Sequence, residues 1–279
     1  APEQARHERV LAIVHLRRDA RTLARLLPEA NRFHLSALMC AAHRTEVLAA
    51  VKARLDAGLP CRLVATQLVE AGVDIDFPVV FRSLAGLDSV AQAAGRCNRE
   101  GKLERGDLVV FRAETRPPPG LLRIGLESAD AMLDEHGDAL RLDCAEQMEE
   151  YFRIYYSKCR TDAHGVQGER ERLNFASVAN RVKLIDDGWS CPIVVPWRDA
   201  GARVRAYERQ PGRDTARALQ PFLVQISRRT LENLQRQGAI ESIGESVHVL
   251  ATPYRHLYDE QFGLVIEDEP FAEPATLIA

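Results

Sequence analysis

Between residues 8 and 115 the chain alternates short apolar runs with amphipathic stretches, and this pattern restricts the fold more than any other feature. Parallel strands cannot be joined by tight turns. They need crossover connections, which helices supply, so the alternation predicts an α/β domain with a mostly parallel sheet. Strands buried on both faces read as continuous apolar runs rather than alternating ones. The expected strands are Val10–Leu16, Phe33–Met39, Cys61–Thr66, Pro78–Ser83 and Asp107–Arg112. One helix is expected to open at Asp19, with Leu23, Leu26 and Leu27 on a single face. Two more are expected over Thr45–Leu55, with apolar Val47, Leu48, Val51 and Leu55, and over Ser89–Asn98.

A boundary follows at Pro117-Pro118-Pro119-Gly120, which neither a helix interior nor a central strand can hold. Beyond it Cys144–Tyr156 is helical in pattern, and the last third is mixed α/β. There Cys191–Pro196 and Pro221–Ile226 are expected strands, and Ser227 caps a helix over Arg228–Gln237. The expected division is residues 1–116, a helical linker over 117–165, and an accessory domain over 166–279.

With 46% hydrophobic and 28% charged residues, the chain can bury a core, and it has no apolar run of the length a membrane span needs. That points to a cytoplasmic protein without a membrane partner. The six cysteines form no CxxC pair and the eight histidines show no zinc-ligand spacing, so free thiols are expected. A net charge of -3 argues against a uniformly basic nucleic-acid binder but leaves room for local arginine patches. The chain opens on Ala1 rather than Met, which suggests processing or a piece of something longer.

Two constellations carry the chemistry. In Thr66-Gln67-Leu68-Val69-Glu70-Ala71-Gly72-Val73-Asp74-Ile75-Asp76, a hydroxyl at a strand end is able to donate to a phosphate oxygen. Gly72 lets backbone approach a ligand, and Asp74 is suited to hold a ribose hydroxyl or orient an arginine. The plainer account is a strand-turn with a capping Thr and a turn Gly. In Gln92-Ala93-Ala94-Gly95-Arg96-Cys97-Asn98-Arg99, a continuing helix would put Gln92, Arg96 and Arg99 on one face. Adjacent guanidiniums repel unless an anion or carboxylate lies between them, and a triphosphate would serve. The plainer account is a solvated helix face paired with Asp or Glu. Similarly, Arg17, Arg18, Arg21 and Arg25 read first as a solvated face, and Trp189 and Trp197 as packing residues.

Together the two segments resemble motifs V and VI of superfamily-two helicases. More narrowly, Val69-Glu70-Ala71-Gly72-Val73-Asp74-Ile75-Asp76-Phe77-Pro78 and Ala94-Gly95-Arg96-Cys97-Asn98-Arg99-Glu100-Gly101 are similar to the helicase-nuclease of type I CRISPR interference, in its type I-C-like branch. Met39-Cys40-Ala41-Ala42-His43-Arg44 fits where motif IV to IVa falls in that branch. The resemblance is specific over roughly residues 8 to 115 and looser beyond, at Tyr151–Tyr156, Leu219–Phe222, Tyr254 and Gly263-Leu264. It implies a second RecA-like motor lobe followed by a helical linker and an accessory domain.

By that resemblance Arg96 and Arg99 face the γ-phosphate of ATP, with Arg99 the first choice for an arginine finger and Gln92 beside them. Gly72, Asp74 and Gly95 line the nucleotide side, and Thr66 and Gln67 touch DNA, with His43 and Arg44 as weaker DNA-side choices. For His43, capping or packing is the commoner role. The sequence contains no GxxxxGK[ST] loop, no Asp-Glu-x-His box and no His-Asp dipeptide. The implied Mg²⁺ and phosphate grip therefore belong to a first motor lobe, and DNA cleavage to a nuclease domain, both outside this sequence. The other implied partners are single-stranded DNA, the CRISPR RNA-guided surveillance complex and an inhibitor protein. The expected activity is ATP-driven 3′ to 5′ translocation, absent from this chain alone. A different superfamily-two motor, acting on RNA or in DNA repair, and a non-catalytic docking module are the alternatives.

Overall fold

The computed structural model describes residues 8–160, 162, 165–181, 190–244 and 247–266. Its first part is a five-stranded, all-parallel sheet in the order β2-β3-β1-β4-β5. The strands are β1 (Arg9–Ile13), β2 (Arg32–Leu35), β3 (Cys61–Ala65), β4 (Val79–Ser83) and β5 (Asp107–Phe111). Helices α1 (Arg17–Leu26), α2 (Ala41–Asp56) and α3 (Leu87–Ala94) make three of the connections. The centre of the sheet buries Leu11, Ile13, Leu63, Ala65 and Val80 at 0–1% exposure, as continuous apolar strands require.

Several expectations need correcting, beginning with the first strand, which stops at Ile13 rather than Leu16, and the first helix, which opens at Arg17 rather than Asp19. The second strand stops at Leu35 rather than Met39. Residues 36–40 turn away because Leu38 and Cys40 pack into a second core, shared with the C-terminal sheet, while Met39 stays in the core of the parallel sheet. In α1 the buried face is Ala20 and Ala24 with Leu23 and Leu27 packed nearby, whereas Leu26 is 77% exposed. The spacing 20, 23, 24, 27 is the helical stripe, and Leu26 falls off it. The third helix ends at Ala94 instead of Asn98, which leaves Arg96 and Arg99 outside it. In α2, by contrast, Val51 is fully buried with Val47, Leu48 and Leu55 packed beside it, the stripe expected from sequence.

The proline run leads into α4 (Leu121–His136), which pairs with α5 (Ala145–Lys158). Tyr151 of α5 is fully buried among Leu84, Leu87, Ala129 and Met132. Its hydroxyl donates to Asp88 Oδ1 at 2.7 Å. Burial, with Asp88 next in effect, raises the phenol above its ordinary range. The α4–α5 pair is thereby fastened to the entrance of α3. Two short helices follow, α6 (Val166–Glu171) and α7 (Phe175–Arg181).

The last part is a mixed four-stranded sheet in the order β7-β6-β9-β8. Its strands are β6 (Ser190–Val194), β7 (Leu223–Ser227), β8 (Ile240–Ile243) and β9 (Val247–Leu250). Helices α8 (Ala200–Arg209), α9 (Arg213–Leu219) and α10 (Arg228–Arg236) accompany it. Ser227 caps α10 as expected, its Oγ accepting from Thr230 N at 3.1 Å. The chain then returns through β10 (Tyr258–Asp259) and β11 (Gly263–Leu264). Leu264 N donates to Leu38 O at 2.8 Å, and Phe262 packs on Ala20, Ala24 and Val64. Gly263 has φ +73, and a Cβ there would meet Leu38 O at 2.5 Å, so no other residue fits this crossing.

All six cysteines are free. No helix among the described residues is long and apolar enough to cross a membrane. Of the four arginines on α1, Arg18 and Arg25 are exposed while Arg17 and Arg21 are half-buried; Arg25 lies over the Phe262 ring. Trp189 lies outside the described residues.

His15, His34 and His43 are all buried, and desolvation lowers each from 6.5 to about 4. Arg82 reinforces this at His15 and Arg21 at His34. A base whose folded pKa is depressed stabilises the fold fully above its unfolded pKa. That contribution falls as pH drops from 6.5 towards 4 and stays flat below. Within that window each histidine removes up to about 1.4 kcal/mol per pH unit. Thermal melts from pH 7 to pH 4 should show a progressive loss of stability, and His34→Gln should shallow the slope.

Candidate functional site

The Thr66–Asp76 segment spans the sheet rather than sitting at one edge of it. Thr66 follows β3 at the carboxyl edge, where its N–H donates to Leu35 O at 3.2 Å. A 3₁₀ turn over Gln67–Val69 begins the return, and Asp76 arrives at the amino edge just before β4. Gly72 has φ +70, and a Cβ placed there would have nothing within 4 Å. The turn itself, not a close neighbour within the chain, therefore calls for glycine.

The arginine segment meets it at that amino edge. Helix α3 ends at Ala94 with Gly95 as its cap, so Gln92, Arg96 and Arg99 do not share one helical face. Glycine is a poor helix former, and Asn98 at φ +47 turns the chain again, a conformation Asn tolerates. The Asn98 side chain closes the turn through Leu103, donating to its carbonyl at 2.8 Å and accepting from its N–H at 2.9 Å. Backbone bonds then zip the two segments together. Phe77 N donates to Arg96 O and Asn98 N to Phe77 O, each at 2.9 Å.

The two guanidiniums have different surroundings. Arg96 is half-buried and donates from Nε to Val69 O at 2.9 Å and from Nη2 to Glu70 O at 2.7 Å. Burial, and then the charge of Arg99, lowers its pKa. Arg99 is 44% exposed and pairs with Asp74, Nη1 to Oδ1 at 2.7 Å. Asp74 also receives Lys52 Nζ at 3.3 Å, and that bond, ahead of the charges of Lys52 and Arg99, holds its carboxyl below the usual range. Asp76 accepts from Arg99 N at 2.7 Å and fixes the backbone under the side chain. Exposed ion pairs are weak and exchange readily, whereas an arginine on two carbonyls is a structural brace. Of the two, Arg99 is therefore the one able to trade Asp74 for an incoming anion. Gln92 and Gly95 are exposed.

On the other side, Thr66 is only 6% exposed and Gln67 is half-exposed. Arg44 donates to Met39 O at 3.0 Å. His43 is 1% exposed, stacked on Trp197 with ring centroids 3.6 Å apart and bonded through Nδ1 to Tyr258 Oη at 3.0 Å. The structure thus gives it the packing role and no open surface for DNA.

Sequence reading misses one group entirely. Arg82 is fully buried in β4, its Nε 2.8 Å from Glu70 Oε1. Glu70 Oε2 accepts from Ser89 Oγ at 2.6 Å, and Arg82 Nη2 donates to Ser89 Oγ at 3.1 Å. The available signal is an arginine inside the apolar run Val79-Val80-Phe81-Arg82, which demands a buried partner. As to metals, among the described residues Glu135, His136 and Glu150 bring three potential ligand atoms within 4.8 Å of one another. They lie on the α4–α5 pair, and the Asp74 region offers no comparable donor set among the described residues.

A parallel five-stranded sheet flanked by helices, with its arginine turn zipped to a glycine turn, is the fold of RecA-like lobes. Residues 6–102 match the family described as CRISPR-associated nuclease/helicase Cas3, C-terminal. A CRISPR-associated nuclease/helicase Cas3 of Haloferax volcanii is 39% identical over 90 residues, covering 28% of this chain and 10% of that protein. In fold, T. fusca Cas3 with ATP matches 92% of this chain at TM-score 0.59 and 17% identity, over 38% of its own length. A chain of a CRISPR RNA-guided surveillance complex, pre-nicking, matches 93% at TM-score 0.57 and 17% identity, over 41% of its length. Residues 6–102 are thus similar to the C-terminal region of Cas3 helicase-nucleases, and the chain spans well under half the length of these relatives.

Gly72→Ala should cost about 1 kcal/mol through its left-handed backbone alone. Denaturant unfolding should show that loss, with Gly72→Asn recovering part of it.

Proposed function

We propose that the chain is the second motor lobe and C-terminal domain of an ATP-dependent, superfamily-two 3′ to 5′ single-stranded DNA helicase. It would act in type I CRISPR interference, in the cytoplasm, in a protein of the type I-C-like branch. The observation that carries this reading is the division of labour at the amino edge of the sheet. Arg96 braces Val69 and Glu70, and Arg99 waits on an exchangeable carboxylate. Lobe closure would replace Asp74 by the γ-phosphate of an ATP held, with Mg²⁺, by the first lobe. Solved relatives with ATP, AMPPNP and ADP support a nucleotide in this fold.

Thr66 and Gln67, at the opposite edge, would meet the DNA strand, with the nuclease domain of the same protein degrading what is unwound. The relative in a CRISPR RNA-guided surveillance complex supports such a complex as the recruiting partner. Residues 1–116, 117–165 and 166–279 would be lobe, linker and accessory domain.

ATP hydrolysis with and without single-stranded DNA tests this, for the chain alone and for the protein that includes the first lobe. The chain alone should be silent and the longer protein stimulated by DNA. Activity from the chain alone would overturn the assignment of the nucleotide site, and silence from both would favour a docking module. In the longer protein Arg99→Ala should lower kcat by about 10³ or more while KM for ATP moves far less, because a finger acts in the transition state.

A further inference from the structure

Glu70 stands where the two halves of the site join. Its backbone ends the 3₁₀ turn that starts from Thr66, with Glu70 N donating to Gln67 O at 2.9 Å. Its carbonyl accepts from Arg96, and its carboxylate accepts from Ser89 and pairs with Arg82. Ser89 lies in the first turn of α3, and Arg96 lies just past that helix's Gly95 cap. One residue therefore grips the arginine-bearing element at both ends. Arg82 holds the carboxylate from below, through β4, and also donates to Ser83 O and Ser83 Oγ at 2.9 Å.

Such a pair is poorly suited to stability alone. Burial raises the pKa of Glu70 and lowers that of Arg82, so desolvation works against both charges. Apolar residues of similar size would hold the strand and helix together at less cost. What they would not supply is a directional set of bonds that fixes the 3₁₀ turn and α3 in one mutual placement.

We infer that Glu70, with Arg82 and Ser89, is a positioning element that makes the Thr66–Glu70 turn and the Arg96–Arg99 turn move as one body. It acts through Arg96 on the placement of Arg99, so that DNA at the carboxyl edge alters the reach of the finger at the amino edge. The inference rests on the motor reading given above.

The test uses the full-length protein with its first lobe and compares wild type with Ser89→Ala and Glu70→Gln. Four quantities are measured for each: kcat and KM for ATP with saturating single-stranded DNA, kcat without DNA, DNA Kd, and melting temperature. Small misplacements of a reacting group cost up to about 100-fold, so DNA-stimulated kcat should fall about 10- to 100-fold in both variants. DNA-free kcat, KM and Kd should stay within about twofold, since no contact with either ligand is removed. Should Glu70→Gln melt early, Ser89→Ala decides, because it leaves the Glu70–Arg82 pair in place. Stimulated kcat within twofold of wild type in Ser89→Ala overturns the inference, as does a loss matched by an equal loss in Kd or folding. A wild-type protein that DNA does not stimulate would instead overturn the motor reading beneath it.

Discussion

The arrangement of this lobe depends on a charge placed where water cannot follow. Arg82 is fully buried in a strand next to the centre of a parallel sheet, and a guanidinium there has to be met by an opposite charge and by acceptors. Glu70, Ser89 and the carbonyl and hydroxyl of Ser83 meet it. Removing one partner of such a pair costs roughly 3–5 kcal/mol, because the other charge is left stranded. The demand fixes where the chain leaving β3 must turn and where α3 must sit. The exposed Asp74 and Arg99 and the half-buried Asp76 are then hung on a backbone that has little choice.

A second constraint joins the lobe to the C-terminal sheet. The His43 ring lies parallel to Trp197 at 13°, Trp197 Nε1 donates to Glu46 at 3.0 Å, and Arg198 lies 4.5 Å from the centroid of the same indole. Arg198 also forks onto both oxygens of Glu46. Tyr258 Oη accepts from Cys40 N at 3.0 Å and bonds His43. Since Leu38 and Cys40 belong to the core beneath the C-terminal sheet, the start of α2 is shared between two cores. Close-packed interiors transmit displacement rather than absorb it, so a shift of α2 is passed on to that sheet.

How far the sequence can be read follows from how local each determinant is. The five strands and α2 are legible because continuous apolar runs and a 3.6-residue stripe are written in neighbouring positions. The Ser227 cap is legible for the same reason. The end of α3 is not, because the i, i+4, i+7 spacing of Gln92, Arg96 and Arg99 runs straight through Gly95 and Asn98, which both favour a turn. Hydrophobicity alone puts Leu26 on the buried stripe, whereas small Ala20 and Ala24 are what let α1 lie close to the sheet. The neighbours of His43 suggest a DNA-side motif, and nothing adjacent in sequence announces Trp197, more than 150 residues away.

By itself, the sequence determined the parallel α/β lobe, the end of its last strand before the proline run, and the two segments that meet in the candidate site. Those depend on periodicity, on turn residues and on short motifs, all of which act over a few neighbouring positions. Only the tertiary structure decided that Arg96 braces the backbone while Arg99 stays exchangeable, that His43 is core, and that Glu70 connects both ends of α3. Each of those outcomes depends on which distant carbonyl, carboxylate or ring a side chain meets. Partners brought together by sheet order and crossover are not encoded at any single stretch of the chain.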